Sequence, residues 1–233
     1  MAHKTLINGT SYNIGGGGVT LIGGTSYKIN KGKTLINGTG QNITFQRKAS
    51  DLNLGDTVHI NINSIKTAFT VVDKSHYDGI MLFANDIYTT MEWFHGWCAY
   101  YHYSNICNYL ETTFLSYLPS YIVDNMPKFN VRDTINSHFI AYDTYVSPPA
   151  LYHMGFETVQ YPSSYELAWD YQGFKKELNS TYWALSQYRD ASHCGIVKPD
   201  GSALSARDAD DDFNQMSVYG VRPCFTISRD TLV

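Results

Sequence analysis

Apolar and polar positions follow two different rhythms along this chain. In residues 1–48 one phrase returns three times: Thr5-Leu6-Ile7-Asn8-Gly9-Thr10, Thr20-Leu21-Ile22-Gly23-Gly24-Thr25 and Thr34-Leu35-Ile36-Asn37-Gly38-Thr39, at offsets of 15 and 14 residues. Each copy runs on into a second short apolar stretch, Tyr12-Asn13-Ile14, Tyr27-Lys28-Ile29 and Gln41-Asn42-Ile43. Short β-prone runs on either side of Asn-Gly or Gly-Gly signal a hairpin. With Gly15–Gly18 and Asn30–Lys33 as return turns, the segment predicts a meander of very short strands. A lone hairpin is marginal in water, so such a segment needs a partner, either copies of itself or a larger assembly.

From residue 49 onward the pattern is that of a larger domain. Thr57-Val58-His59-Ile60-Asn61-Ile62 alternates and predicts a strand, followed by Phe69–Val72 and Ile80–Phe83 with Asp73–Gly79 between them. Ile106, Leu110, Phe114 and Leu118 repeat every four residues after Ser104, a good N-cap, and before Pro119, which predicts a helix over 104–118. A second helix is predicted over 164–178, with Ser163 and Glu166 as a capping box. Tyr182–Leu185, Gly195–Val197 and Gly220–Ile227 read as strands, and Pro199-Asp200-Gly201 as a turn. Between the strands lies a long polar stretch, the kind of loop in which ordered scaffolds place binding residues.

Composition sharpens the division. Residues 1–48 hold six Lys and Arg and no Asp or Glu, so this segment carries +6 while the whole 233-residue chain carries −4. Ten of the 18 glycines lie there, against three of the 34 aromatic residues. Such a break marks a module boundary near Lys48–Asp51. The acidic remainder excludes a broad nucleic-acid surface. The longest apolar run, Gly79–Ala84, is far short of a membrane span, and Met1–Leu6 lacks the long apolar stretch of a conventional signal peptide. Cys98, Cys107, Cys194 and Cys224 form no C-x-x-C pair, which argues against a zinc ribbon and for reduced, mostly buried thiols.

Motifs for enzyme chemistry are absent: there is no G-x-S-x-G, H-E-x-x-H or Walker sequence, and Gly32-Lys33-Thr34 lacks the earlier glycine of a P-loop, whose place is taken by Tyr27. Asp208, Asp210 and Asp212 match the first ligands of an EF-hand, but Phe213 and Tyr219 stand where Gly and Glu are required. No cofactor or metal is expected. The aromatic run Trp93–Tyr103 has no regular period. Trp97 and Tyr109 are expected in the core, and other members of the run are candidates for a stacking platform.

Several stretches together resemble a known family. They are Gly55-Asp56-Thr57-Val58, Tyr103-Ser104-Asn105 leading into Tyr109–Phe114, Tyr182-Trp183-Ala184-Leu185-Ser186, Val197-Lys198-Pro199-Asp200-Gly201 and Gly220-Val221-Arg222-Pro223-Cys224-Phe225. In this order they resemble uncharacterised domains of gut bacteria and their phages that end in G-V-R-P. Those domains are similar to C-type-lectin-like folds and to the variable proteins of diversity-generating retroelements. The Thr-Leu-Ile-Asn-Gly-Thr repeats resemble N-terminal segments of phage tail proteins. The chain departs from the family in Tyr182-Trp183-Ala184-Leu185-Ser186, which lacks the Arg of W-L-R-S, and it lacks the Glu-Pro-Asn or Gln-Pro-Asp signature of calcium-dependent sugar binding.

The resemblance implies an α+β fold: a C-type-lectin-like domain over 49–233, with a variable region at about 182–219, preceded by a short all-β repeat segment over 1–48. It implies a non-enzymatic binder on a phage tail, carried on the virion or alternatively on a bacterial cell surface. Such a protein would be a homotrimer, joined to other tail proteins through residues 1–48 and directed at a bacterial surface protein or glycan, with no nucleic acid and no membrane insertion. The candidate ligand-binding residues are Tyr101, Trp183, Gln187, Tyr188, Arg189, Asp190, His193, Arg207, Asp208, Asp210, Asp212 and Asn214, mixed polar and aromatic groups of the kind antibody loops use. The alternatives are a structural surface protein without its own ligand and a surface-glycan hydrolase.

Overall fold

The computed structural model describes residues 3–7, 10–14, 19–22, 25–28, 32–36, 39–43, 47–93, 101–135, 138–156, 168–185, 195–205 and 218–233. The repeats form three antiparallel hairpins: β1 (His3–Ile7) with β2 (Thr10–Ile14), β3 (Val19–Ile22) with β4 (Thr25–Lys28), and β5 (Gly32–Ile36) with β6 (Thr39–Ile43). Ile7 opposes Thr10, Ile22 opposes Thr25 and Ile36 opposes Thr39. That register belongs to a two-residue connection at Asn-Gly or Gly-Gly. Each hairpin is its own two-stranded sheet, so the expected meander is present as three hairpins, with no strand pairing from one to the next among the described residues. Lys33, read as turn, belongs to β5.

Two five-stranded sheets and a separate two-stranded one build the described part of the rest, with few helical turns, a mixed architecture that fits α+β or mostly β. The first sheet contains β7 (Thr57–Ile62), β8 (Ile65–Asp73) and β9 (Ile80–Ala84) as a meander. The second begins with β10 (Thr89–Glu92). Asn105–Tyr117 is helical, as the four-residue spacing predicts: α1 (Asn105–Asn108), a π-helical turn over Tyr109–Phe114, and α2 (Leu115–Tyr117). Ser104 Oγ accepts the Cys107 amide at 2.9 Å, capping the start. Ile106, Leu110, Phe114 and Leu118 are all buried, and Tyr109 packs half-buried against the core. After the short α3 (Ser120–Val123), β11 (Phe129–Ile135) and β12 (His138–Thr144) form a hairpin, and β13 (Val146–Ser147) joins the edge of the first sheet.

The second predicted helix does not form over its described part. Residues 168–178 form no regular secondary structure. Their backbone groups are taken by tertiary partners. Tyr171 N donates to Val72 O, Trp169 N to His153 O and Asp170 N to Asp73 Oδ2, while Lys175 O accepts from Arg222. A helical ladder would have to give up those bonds. The capping box at Ser163 and Glu166 lies outside the described residues.

The second sheet has the order β10, β17 (Val218–Val221), β14 (Tyr182–Ala184), β15 (Gly195–Val197), β16 (Ala203–Ser205). The predicted strand 220–227 is two strands in different sheets: β17, and β18 (Cys224–Ile227) beside β9. Pro223, with no N–H, stands at the crossing. The start and end of this unit pair with each other, Arg47 N donating to Val233 O at 3.1 Å and Val233 N to Arg47 O at 2.9 Å. Cys107 and Cys224 are buried and form no disulfide, and Cys98 and Cys194 lie outside the described residues. Among the described residues no helix is long and apolar enough to cross a membrane.

Candidate functional site

The ends of three short strands define one end of the second sheet. Ala184 pairs with Gly195, and Gly195 with Ser205. Leu185, which follows β14, is clamped from the other side: its N–H donates to Pro149 O at 2.9 Å and its carbonyl accepts from Leu151 N at 3.0 Å. Gly195 is held closely. A Cβ there would come within 3.0 Å of Ala184 O and 3.1 Å of Leu151 Cδ1, a spacing that favours glycine. The stems from which residues 186–194 and 206–217 depart therefore lie side by side on a packed base.

An aromatic column supports that base. Trp183 is fully buried, its ring 5.4 Å from Trp93 and 4.8 Å from Tyr219. Its Nε1–H donates to Met91 O at 2.8 Å, tying β14 to β10. Tyr101, also fully buried, lies 6.1 Å from Trp93 and donates its hydroxyl to Val146 O at 2.8 Å. Both were candidate ligand contacts. As placed, they serve the interior and present no surface, because large aromatic side chains with a satisfied polar tip are favoured core material. The other ten candidates (Gln187, Tyr188, Arg189, Asp190, His193, Arg207, Asp208, Asp210, Asp212 and Asn214) lie outside the described residues, as does Trp97. Of the aromatic run, Trp93 is buried, while His102 and Tyr103 are exposed.

At the opposite end, β15 and β16 are joined by a tight turn. Lys198 N donates to Ser202 O, and Gly201 sits at φ +80°, so the predicted turn is present. The Ser202 hydroxyl and amide both donate to Asp200 Oδ1, which lowers the Asp200 pKa.

A second constellation was not singled out in the sequence. Asp73 is fully buried at the end of β8, beyond a bulge at Val72. Its Oδ1 accepts the amides of Ser75 and His76, and its Oδ2 accepts His76 Nδ1 at 2.6 Å and Asp170 N at 3.2 Å. Asp170 Oδ2 accepts Ser75 Oγ at 2.8 Å, and its Oδ1 lies 3.8 Å from His76 Nδ1. Asp73, His76 and Asp170 are spaced closely enough to hold a cation. However, Asp73 already accepts three backbone amides, those of Ser75, His76 and Asp170, and contacts the His76 ring. The arrangement is a latch that fastens the 168–174 segment to the β8 bulge.

Behind it, His153 is buried and stacks on Trp169 at 5.0 Å and 13°. Ala150 N donates to Nδ1, so the proton sits on Nε2 and is given to the Tyr77 hydroxyl at 3.0 Å. Burial pushes the His153 pKa down to about 3 and raises that of Tyr77. A bulge followed by Asp-x-x-His was the only sequence signal for this cluster, and the bulge itself is set by tertiary packing.

The chain matches no protein-family model, no curated protein and no solved structure.

Proposed function

We propose that this chain is a non-enzymatic ligand-binding protein of a phage tail, carried on the virion, with a C-type-lectin-like domain over 49–233. Its binding surface would be formed by residues 186–194 and 206–217. The observation that carries this reading is the adjacency of Leu185, Gly195 and Ser205 on a base clamped by Trp183, Trp93 and residues 149–151. A rigid seat with two long polar connections leaving neighbouring strand ends suits sequence-tolerant recognition. Tyr188, Arg189, Asp190, His193, Arg207, Asp208, Asp210, Asp212 and Asn214 would supply adaptable polar contacts there.

The lectin-like assignment draws on the resemblance of the motifs in residues 49–233. The three hairpins, cationic and too small to be stable alone, would join the protein to other tail proteins and to copies of itself as a homotrimer. Trimeric display raises effective concentration, which offsets weak single-site affinity for a bacterial surface protein or glycan.

The test is binding of the fluorescently labelled full chain to a panel of intact gut bacteria. It is compared with a variant carrying Ala at Tyr188, Arg189, Arg207, Asp208 and Asp210. Selective binding that the variant loses is the expected result. Binding by neither protein, or equally by both, overturns the reading in favour of a structural role. Release of sugar from the bacterial surface would favour a glycan hydrolase.

A further inference from the structure

From the free edge of the first sheet we infer that two copies of this chain pair through β7, antiparallel and centred on His59, to form one continuous sheet. This does not rest on the ligand proposed above. β7 is the last strand of its sheet, with β8 on one side only. Its register to β8 is unbroken from Thr57↔Thr70 to Ile62↔Ile65, and the turn between them has two residues, Asn63 and Ser64, both at positive φ. In such a hairpin the pair flanking the turn is hydrogen-bonded. Val58, Ile60 and Ile62 therefore bond inward to β8, while the N–H and C=O groups of Thr57, His59 and Asn61 point away from the sheet. Among the described residues nothing meets those six groups.

Edge strands are normally guarded by Lys, Pro, a bulge or a covering element. Thr57–Ile62 has no Lys, no Pro and no charged carboxylate, and its ladder has no bulge. The edge is also self-complementary. Antiparallel pairing about His59 sets His59 against its symmetry mate and Thr57 against Asn61, so each outward donor meets an outward acceptor. The same two-fold brings the Leu54 end of one copy alongside the Ile65 end of the other. Leu54 and Ile65 are 40% and 63% exposed, two of the few large aliphatic side chains left in solvent, and they flank β7 on either side. An isologous interface requires one patch to match itself in this way. A single strand edge buries less than the roughly 800 Å² per partner of a standard interface, so the association is concentration-dependent.

The test is sedimentation of the full chain over a range of concentrations, beside His59→Lys, which sets two ammonium groups against each other at the two-fold. The His59 side chain is exposed, so the fold is retained. At high concentration the wild-type mass is expected to rise to at least twice that of the variant, which stays at the protomer count set by the N-terminal hairpins. In parallel, hydrogen exchange of the wild-type Thr57, His59 and Asn61 amides should slow as concentration rises, while those of Val58 and Ile60 stay protected throughout. Equal masses for the two proteins at every concentration, or no concentration-dependent protection of the three outward amides, overturns the inference.

Discussion

The guanidinium of Arg222 lies 4.0 Å from the centre of the Phe83 ring and is enclosed on its other side by Tyr182 at 4.7 Å. It is fully buried and makes no ion pair with a carboxylate among the described residues. Instead, Nε donates to Ala84 O, Nη2 to Asn85 O and Nη1 to Lys175 O. These groups belong to the places where the chain passes between the two sheets, so Arg222 fastens both sheets and the 168–178 segment at one point. The whole Gly-Val-Arg-Pro sequence is explained by that crossing. A Cβ on Gly220 would come within 2.5 Å of Ile87 Cδ1, Val221 is core, and Pro223 ends the β17 ladder.

Arg222→Lys should therefore be far from conservative. An ammonium cannot reach three carbonyls in one plane or stack between two rings, and charge-assisted hydrogen bonds contribute about 1.5–3 kcal/mol each. The expected loss is about 2–4 kcal/mol of stability, read as a lower midpoint in urea unfolding.

Asp73→Asn should release the latch. The amide can still accept from Ser75 and His76, but it loses the charge that four donors address. Loss of such a buried network costs on the order of 2–4 kcal/mol. The specific sign is local: hydrogen exchange over 168–174 should accelerate more than over β9. Asp170→Asn, at an exposed group, should cost under about 1 kcal/mol. Because three backbone amides already address the Asp73 carboxylate, neither EDTA nor added Zn²⁺ should shift Tm.

His153 sets an acid limit. Its pKa is lowered to about 3 in the fold by burial, below the ordinary imidazole value near 6.5. The unfolded chain therefore binds the extra proton between those values. Stability from this residue is complete above pH 6.5 and falls as pH drops toward 3, by up to about 1.4 kcal/mol per pH unit. In His153→Gln, the slope of unfolding free energy against pH over this window should be shallower by about one proton.

Ser104→Ala removes the acceptor for Cys107 N and should cost about 1 kcal/mol. Ser104→Thr, which keeps the hydroxyl, should restore most of that loss, measured by thermal unfolding.

Local chemistry was legible where neighbours in sequence are neighbours in space. The Asn-Gly and Gly-Gly repeats specify their own hairpins, Ser104 and the four-residue spacing to Leu118 specify the helix, and alternation over Thr57–Ile62 specifies a strand with one buried face. Residues 164–178 carry helical signals too, but Gly173 weakens them, and Val72, Asp73, His153 and Arg222 supply bonds that an isolated helix could not match. Trp183 and Tyr101 show the same limit for the site. An aromatic residue with a polar tip suits a binding surface and a core equally well, and only packing against Trp93, Met91 and Val146 assigned both to the core.

The sequence by itself determined the division into a cationic repeat segment and a larger aromatic-rich unit, along with the turns, the cap and most strands. These depend on φ/ψ preferences and on burial of one face, both carried within a few residues. The tertiary structure alone decided that Gly220–Ile227 splits between two sheets, that Arg222 is enclosed by rings and carbonyls, and that Asp73, His76 and Asp170 meet. Each of those outcomes needs residues about 100 positions apart to satisfy one another's buried polar groups, and no local pattern encodes that pairing.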